Sequence, residues 1–435
     1  MIAKDCKRLA LFGLPVLILI YTAASFYRDI LPVGPPAHDE PKSAAPWEKG
    51  NHMEVFSAST HDRKYFPIDF GEIKGMNPNI IPHPHLEETW IVVAQESRGP
   101  DVQDPVFAEI ACNAAFRDGT LRCISPPARL PIAPTAGDKC TGELAFFGLN
   151  AGPHDARVLY GPDKPYVVYG SNSALTCFGQ WIHDFRELVG AWADDDGDDE
   201  EGEKGEEPEP QETPDLFRAA TELQRPAAHA YGAVEKNWFP FWDRAGRMYV
   251  HYDMSPRRVF ARIHADGSAG EDLATATAAA DARCLARYVP ALPPALESVH
   301  QATNSLSVTM CRRADPRCVP GAHNTFVLAV WQHKTFYRFH GVYEPYAMLF
   351  RRDAPFAVHA VSRRPLWIHG REEHRDRQTS DMMYVTSVSW KHAGLKYHGF
   401  LDDELVLGFG IEDRDSGGID LVAGDLLANL GLCDD

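Results

Sequence analysis

The feature that most restricts this chain is its supply of short β-type segments. They are TWIVVAQ (Thr89 to Gln95), ARVLYG (Ala156 to Gly161), PYVVYGSNS (Pro165 to Ser173), RMYVHYD (Arg247 to Asp253), FVLAVWQH (Phe326 to His333), MYVTSVSW (Met383 to Trp390) and ELVLGFGI (Glu404 to Ile411). Each is rich in β-branched and aromatic residues, and Gly, Pro, Asn and Asp break the chain between them. Amphipathic helical pattern is scarce. It is confined to Leu216 to Gln224, Ala274 to Tyr288 and Val422 to Leu430. No strand–helix alternation runs along the chain, which disfavours a Rossmann-type nucleotide-sugar domain. Many short strands over residues 51–435 suit a β-propeller or a large sandwich. No clean repeat of about 40 to 50 residues chooses between them.

The N-terminus sets the compartment. Lys4, Lys7 and Arg8 precede an uncharged apolar run from Leu9 to Tyr27, closed by Arg28 and Asp29. At 1.5 Å per residue this run is about long enough to cross a hydrocarbon core of roughly 30 Å. The basic flank keeps the short tail in the cytosol. A cleaved signal peptide ending near Ala23-Ala24-Ser25 is the competing reading. Either way the chain enters the secretory pathway. The expected organisation is a tail over 1–8, a signal anchor over 9–27, a Pro-rich stem over 28–50 and a lumenal domain over 51–435. Cysteine usage agrees. Beyond Cys6 there are eight cysteines, an even number that suggests four bridges. Cys112/Cys123 and Cys311/Cys318 are close enough in sequence to close local loops. The other pairings are open. There is no C-x-x-C element, so a zinc ribbon or thioredoxin-type site is disfavoured.

The net charge of -18 is mostly local: residues 194–215 hold 13 acidic residues against Lys204. This run has no aliphatic or aromatic residue and is expected to be a disordered insert. No basic patch stands out elsewhere, which disfavours nucleic-acid binding.

Four segments set polar groups against apolar strands. In the first, Asp155 and Arg157 stand two apart at a strand start, so their side chains point the same way. An acid beside an arginine suits proton transfer and substrate binding, and it also suits a surface ion pair. In the second, Lys236 and Asn237 precede Trp238, Phe239, Phe241 and Trp242, and Asp253 ends the next strand. Aromatic faces with polar partners are what a sugar site needs, though an aromatic core with a charged rim reads the same. The third holds His300, His333, Lys334 and His340, with His333-Lys334 as a candidate phosphate-binding pair at a strand end. In the fourth, Asp413 follows an apolar strand; the spacing of Asp413 and Asp415 is too common to imply a metal.

Taken in order, the four segments resemble the five-bladed β-propellers of the mannoside phosphorylase and mannosyltransferase group. Gly152-Pro153-His154-Asp155-Ala156-Arg157-Val158 is similar to that group's Gly-x-Glu-Asp-Pro-Arg-Val/Ile element, with His154 in place of Glu and Ala156 in place of Pro. Lys236-Asn237, His333 and Gly410 to Asp413 match further elements. The stretch Trp242 to Leu273 resembles the fungal β-mannosyltransferases that extend mannan with β-1,2-linked mannose. The resemblance implies an all-β, five-bladed β-propeller with an N-terminal transmembrane helix, a stem and few peripheral helices. It implies a Golgi transferase using GDP-mannose as donor and a mannan or glycoconjugate acceptor, without cofactor or metal. Asp155 would exchange the proton. Arg157, Lys236, His333 and Lys334 would stabilise the leaving phosphate. Asn237, Asp253, His300 and Asp413 would contact the substrate, and Trp238 would stack on sugar. A mannoside phosphorylase or hydrolase, and a non-catalytic carbohydrate-binding propeller, are the rival readings.

Overall fold

A strand with apolar residues on both faces must be covered on both. The chain meets this demand with five antiparallel sheets built from successive stretches of chain; His398–Phe400 leaves its stretch, pairing in parallel with Ser298–Thr309. The computed structural model describes residues 47–97, 106–149, 151–192, 216–227, 229–291, 297–337 and 340–433. The first sheet comprises Gly75–Pro82, Trp90–Glu96, Glu109–Arg117 and Thr120–Cys123. The second comprises His154–Tyr160, Pro165–Asn172, Phe178–Asp184 and Thr221–Glu222. The third has Phe239–Trp242, Met248–Asp253 and Val259–Arg262. The fourth has Ser298–Thr309, Thr325–Tyr337, His340–Arg351 and Val358–Ser362. The fifth has Met383–Trp390, Glu404–Ile411 and Asp415–Val422.

The first strand of each sheet lies innermost. Gly75–Pro82 packs against His154–Tyr160 and Met383–Trp390, and Ser298–Thr309 packs against Met383–Trp390 and Phe239–Trp242. Five apolar clusters fill the spaces between successive sheets. Ile91 and Val93 meet Val158 and Val167; Leu159 and Val168 meet Trp242 and Val250; Phe241 and Tyr249 meet Val327 and Trp331. Leu306 and Leu328 meet Val385 and Leu407, and Val406 meets Ile80 and Val92. The last contact returns to the first sheet, so the ring closes as a β-propeller. Phe66–Asp69 seals it, pairing with Asp415–Val422 on one side and Thr120–Cys123 on the other.

Short polar side chains stitch the inner strands together where no ladder can. Asn79 donates to the Ala156 carbonyl (2.6 Å) and accepts from the Val158 amide (3.3 Å). Asn304 does the same for Val388, at 2.8 and 3.1 Å. Ser305 reaches Pro240 and Ser389 reaches Ile80. These groups are buried, so leaving one unpaired would cost about 1–3 kcal/mol.

All four expected bridges are present: Cys112–Cys123, Cys140–Cys177, Cys284–Cys433 and Cys311–Cys318. The Cys284–Cys433 bridge ties the Ala278–Tyr288 helix to the C-terminal segment, whose strand Leu430–Leu432 pairs with Val358–Ser362. The helix expected near Leu216 to Gln224 does not form; Thr221–Glu222 instead pairs with the Phe178–Asp184 strand. Among the described residues no helix is long and apolar enough to cross a membrane. The anchor at 9–27, most of the stem and the acidic insert at 194–215 lie outside the described residues.

Candidate active site

At one end of the axis the inner strands lose their regularity together. The pairing register shifts between Met76 and Asn79, between His154 and Arg157, between Gln301 and Ser305, and between Val385 and Ser387. Such bulges re-aim side chains. Among the described residues, five of the eleven non-glycine residues with left-handed backbone lie at this level: φ is +55° at Asn77, +50° at Asp155, +62° at Asn237, +54° at Glu412 and +48° at Asp413. Each costs of order 1–3 kcal/mol for a residue with a side chain, and such strain clusters where geometry serves function. Glycines make room for it. A Cβ on Gly410 would lie 2.3 Å from Asn77 Oδ1, and one on Gly408 would lie 2.7 Å from the Pro78 carbonyl.

Asp155 sits at the centre, half-buried. Asn77 Nδ2 donates to its Oδ1 at 2.9 Å, and its own amide donates to Gln95 Oε1 at 3.2 Å. Burial pushes its pKa up, but Arg157, Lys236 and the Asn77 hydrogen bond outweigh this and hold the carboxyl below its ordinary range. It is therefore a carboxylate at neutral pH. Arg157 is buried, donates from Nη2 to the Tyr384 hydroxyl at 3.4 Å and leaves Nη1 without a partner. Tyr384 in turn donates to Asn237 Oδ1 at 3.2 Å. This chain of contacts joins the second and fifth sheets to the segment entering the third. Asp155, Arg157, Lys236 and Asn237 line one cavity with Phe178 and Phe239.

The opposite wall comes from the fourth and fifth sheets. Tyr343 meets the Tyr384 ring at 4.9 Å, and the Lys334 ammonium lies 5.3 Å from the Tyr343 ring. His300 lies 6.3 Å from both tyrosines. Burial, then the charges of Lys334 and Arg157, push the His300 pKa down to about 4, so it is neutral at pH 7. Asp413 keeps solvent access, yet desolvation by the surrounding wall and the charge of Asp155 raise its pKa against the pull of Lys334.

The structure thus brings together Asp155, Arg157, Lys236, Asn237, His300, Lys334 and Asp413. It places three other sequence candidates elsewhere. Trp238 is 1% exposed and packs edge-on against Tyr252 in the core, so it offers no face to a sugar. Asp253 pairs with Arg225, which also holds Glu235 at 3.1 Å, beneath the Lys236-Asn237 turn. His333 points away from its neighbour Lys334, as adjacent strand residues must, and pairs with Glu297 at 2.7 Å. Asn77, Gln95, Glu109, Tyr343 and Tyr384 belong to the site without having been singled out as ligands. Glu109 carried the readable signal, a single acid inside the mostly apolar stretch FAEIACNAAF. Among the described residues no cluster of three or more His, Cys, Asp or Glu is arranged to hold a metal ion.

No protein-family model matches the chain, and a search of curated protein sequences finds no match. Several solved structures show distant similarity. A glycosyl hydrolase from Bacteroides ovatus is 10% identical, with a TM-score of 0.41 over 88% of this chain and 94% of its own. A β-1,2-mannobiose phosphorylase from Listeria innocua is 11% identical, with a TM-score of 0.42 over 86% and 96%. A GDP-Man-dependent mannosyltransferase from Leishmania mexicana is 6% identical, with a TM-score of 0.38 over 82% and 88%.

Proposed function

We propose that this chain is a carbohydrate-active enzyme that exchanges a glycosyl group between a phosphate and a sugar hydroxyl at the mouth of its propeller axis. The carrying observation is the set of cations around Asp155. Among the described residues, Arg157, Lys236 and Lys334 form no ion pair, and Arg157 holds a buried N–H without an acceptor. Cations kept free in a half-buried cleft suit an anionic ligand, and a guanidinium matches the two oxygens of a phosphate. Neutral tyrosines and asparagines beside them suit sugar hydroxyls.

The ionised state of Asp155 favours the synthetic direction. Its carboxylate accepts the proton of the attacking hydroxyl as that oxygen bonds to the anomeric carbon. The bond from that carbon to the phosphate oxygen breaks, and the cations stabilise the charge left on the phosphate. In the reverse direction phosphate attacks and the protonated Asp155 returns its proton to the departing sugar oxygen. A bound phosphate offsets the charges that hold the Asp155 pKa down, which eases that protonation. The resemblance of the four sequence segments makes mannose the first sugar to test, with GDP-mannose as donor and a mannan acceptor. The four disulfides and the apolar run at 9–27 fit a secretory-pathway membrane protein with the propeller in the lumen.

A hydrolase is the second reading, and one observation favours it. Asp155 and Asp413 have pKa values pushed in opposite directions, the pattern of a base and an acid working as a pair. The deciding experiment incubates the protein with GDP-mannose and a short mannan, and separately with manno-oligosaccharides with and without inorganic phosphate. Mass spectrometry then follows the products. Hexose gain on the acceptor, or phosphate-dependent release of hexose 1-phosphate, supports the proposal. Release of free hexose independent of phosphate supports the hydrolase. No product in any arm overturns both.

A further inference from the structure

We propose that Glu109, buried on the third strand of the first sheet, is a positioning residue for Asp155 and governs how far Arg157 is free to engage an anionic substrate. The inference rests on the reading of this cleft as a phosphate-handling site.

The geometry begins with the bulge that carries Asp155. Four side chains of the first sheet hold it. Gln95 takes the Asp155 amide, Asn77 binds the Asp155 carboxylate, Asn79 takes the Val158 amide and donates to the Ala156 carbonyl, and Glu109 Oε1 takes the Ala156 amide at 3.1 Å. Gln95 and Glu109 are cross-strand neighbours, so they reach consecutive amides of one bulge. Left-handed backbone at Asp155 is unfavourable by itself, and these bonds over-determine it.

Glu109 differs from the other three in having a charge to place. It is 0% exposed, and its second oxygen, Oε2, has no hydrogen-bond partner. The charged groups facing it are both on the second sheet's inner strand: Asp155, which repels a carboxylate, and Arg157, which attracts one. An unpaired buried carboxylate oxygen is costly, and a proton relieves that cost. Burial therefore pushes the Glu109 pKa up to about 8 despite the Ala156 hydrogen bond. Neutral Glu109 leaves Arg157 to Asp155 and the substrate. Ionised Glu109 places a second negative charge against the same guanidinium and opposes an incoming phosphate.

The folded-state pKa lies above that of the unfolded chain, so the fold binds this proton more tightly. That contribution is full below about pH 4.5 and is lost as pH rises towards about 8. Glu109→Gln keeps an oxygen for the Ala156 amide and cannot ionise. Its melting temperature relative to wild type should therefore rise steadily between those pH values and level off above them. Calorimetric titration with inorganic phosphate supplies the second readout. Wild-type affinity should fall about tenfold more than the variant's between pH 7 and pH 9, corresponding to one pKa unit of coupling. Glu109→Ala, which also removes the acceptor, should lose turnover at pH 7 while Glu109→Gln retains it. Parallel melting curves and parallel phosphate affinities for wild type and Glu109→Gln would overturn the inference, as would full turnover by Glu109→Ala. The melting readout needs no substrate. If phosphate fails to bind at any pH while the melting difference follows the predicted course, the phosphate-site reading fails, and with it the gating of Arg157. The buried proton on Glu109 then stands alone.

Discussion

The two walls of the cleft each present an aspartate on left-handed backbone, and the two are tuned in opposite directions. Burial acts upward on both. On the second-sheet wall, Arg157, Lys236 and Asn77 overcome it and Asp155 is held ionised. On the fifth-sheet wall Lys334 alone opposes burial and the charge of Asp155, and Asp413 rises. One residue type in one conformation does different work because its neighbours differ, and apart from Arg157 the neighbours named here lie outside the aspartate's own sheet.

The largest expected effect separates the two walls. Asp155→Asn should lower turnover by about 10³-fold with the fold intact and a modestly lower melting temperature at neutral pH, because a carboxylate held below its ordinary range stabilises the fold there, whereas Asp413→Asn should cost about tenfold in turnover. Equal losses would make the carboxylates a working pair and move the reading towards hydrolysis. Next come the cations. Arg157→Ala should weaken binding of inorganic phosphate about 100-fold and Lys334→Ala about tenfold, since a hydrogen bond to a charged group contributes about 1.5–3 kcal/mol. Titration calorimetry at two salt concentrations measures both. Tyr384→Phe removes the hydroxyl between Arg157 and Asn237, and a loss of about three- to fivefold in kcat/KM is expected. The smallest change on activity is a shift of state. In Asp155→Asn the raised pKa of Asp413 should move down towards an ordinary aspartate, because the neighbouring negative charge is gone. Carboxyl NMR reads this directly, and an unmoved resonance would mean the walls are electrostatically separate.

Legibility from sequence was uneven for reasons visible residue by residue. Asp155 and Arg157, two apart at a strand start, both reach the cleft, although the bulge between them breaks the alternation that their spacing assumes. The same rule, applied to His333-Lys334, separates them: adjacent residues on a strand face opposite ways, and only Lys334 joins the site. Trp238 looked like a stacking wall because aromatics near charges suit sugars, but composition does not say which aromatic is turned inward. Tyr343 and Tyr384, which do line the cleft, carry no distinguishing spacing. Asn77 acts because a bulge and the open space at Gly410 let it reach Asp155. Neither is visible in a segment read alone.

What the sequence determined by itself was local. Short β-branched runs broken by Gly and Pro specified strands, eight cysteines after Cys6 specified four bridges, and Asp155 with Arg157 specified a charged strand start. Only the tertiary structure decided which strands lie innermost, that the inner strands become irregular at one common level, and that Glu109 is sealed beneath Asp155 and Arg157. The physical reason is that charge state and access depend on burial and on neighbours far along the chain. Those neighbours meet only when the ring of sheets closes.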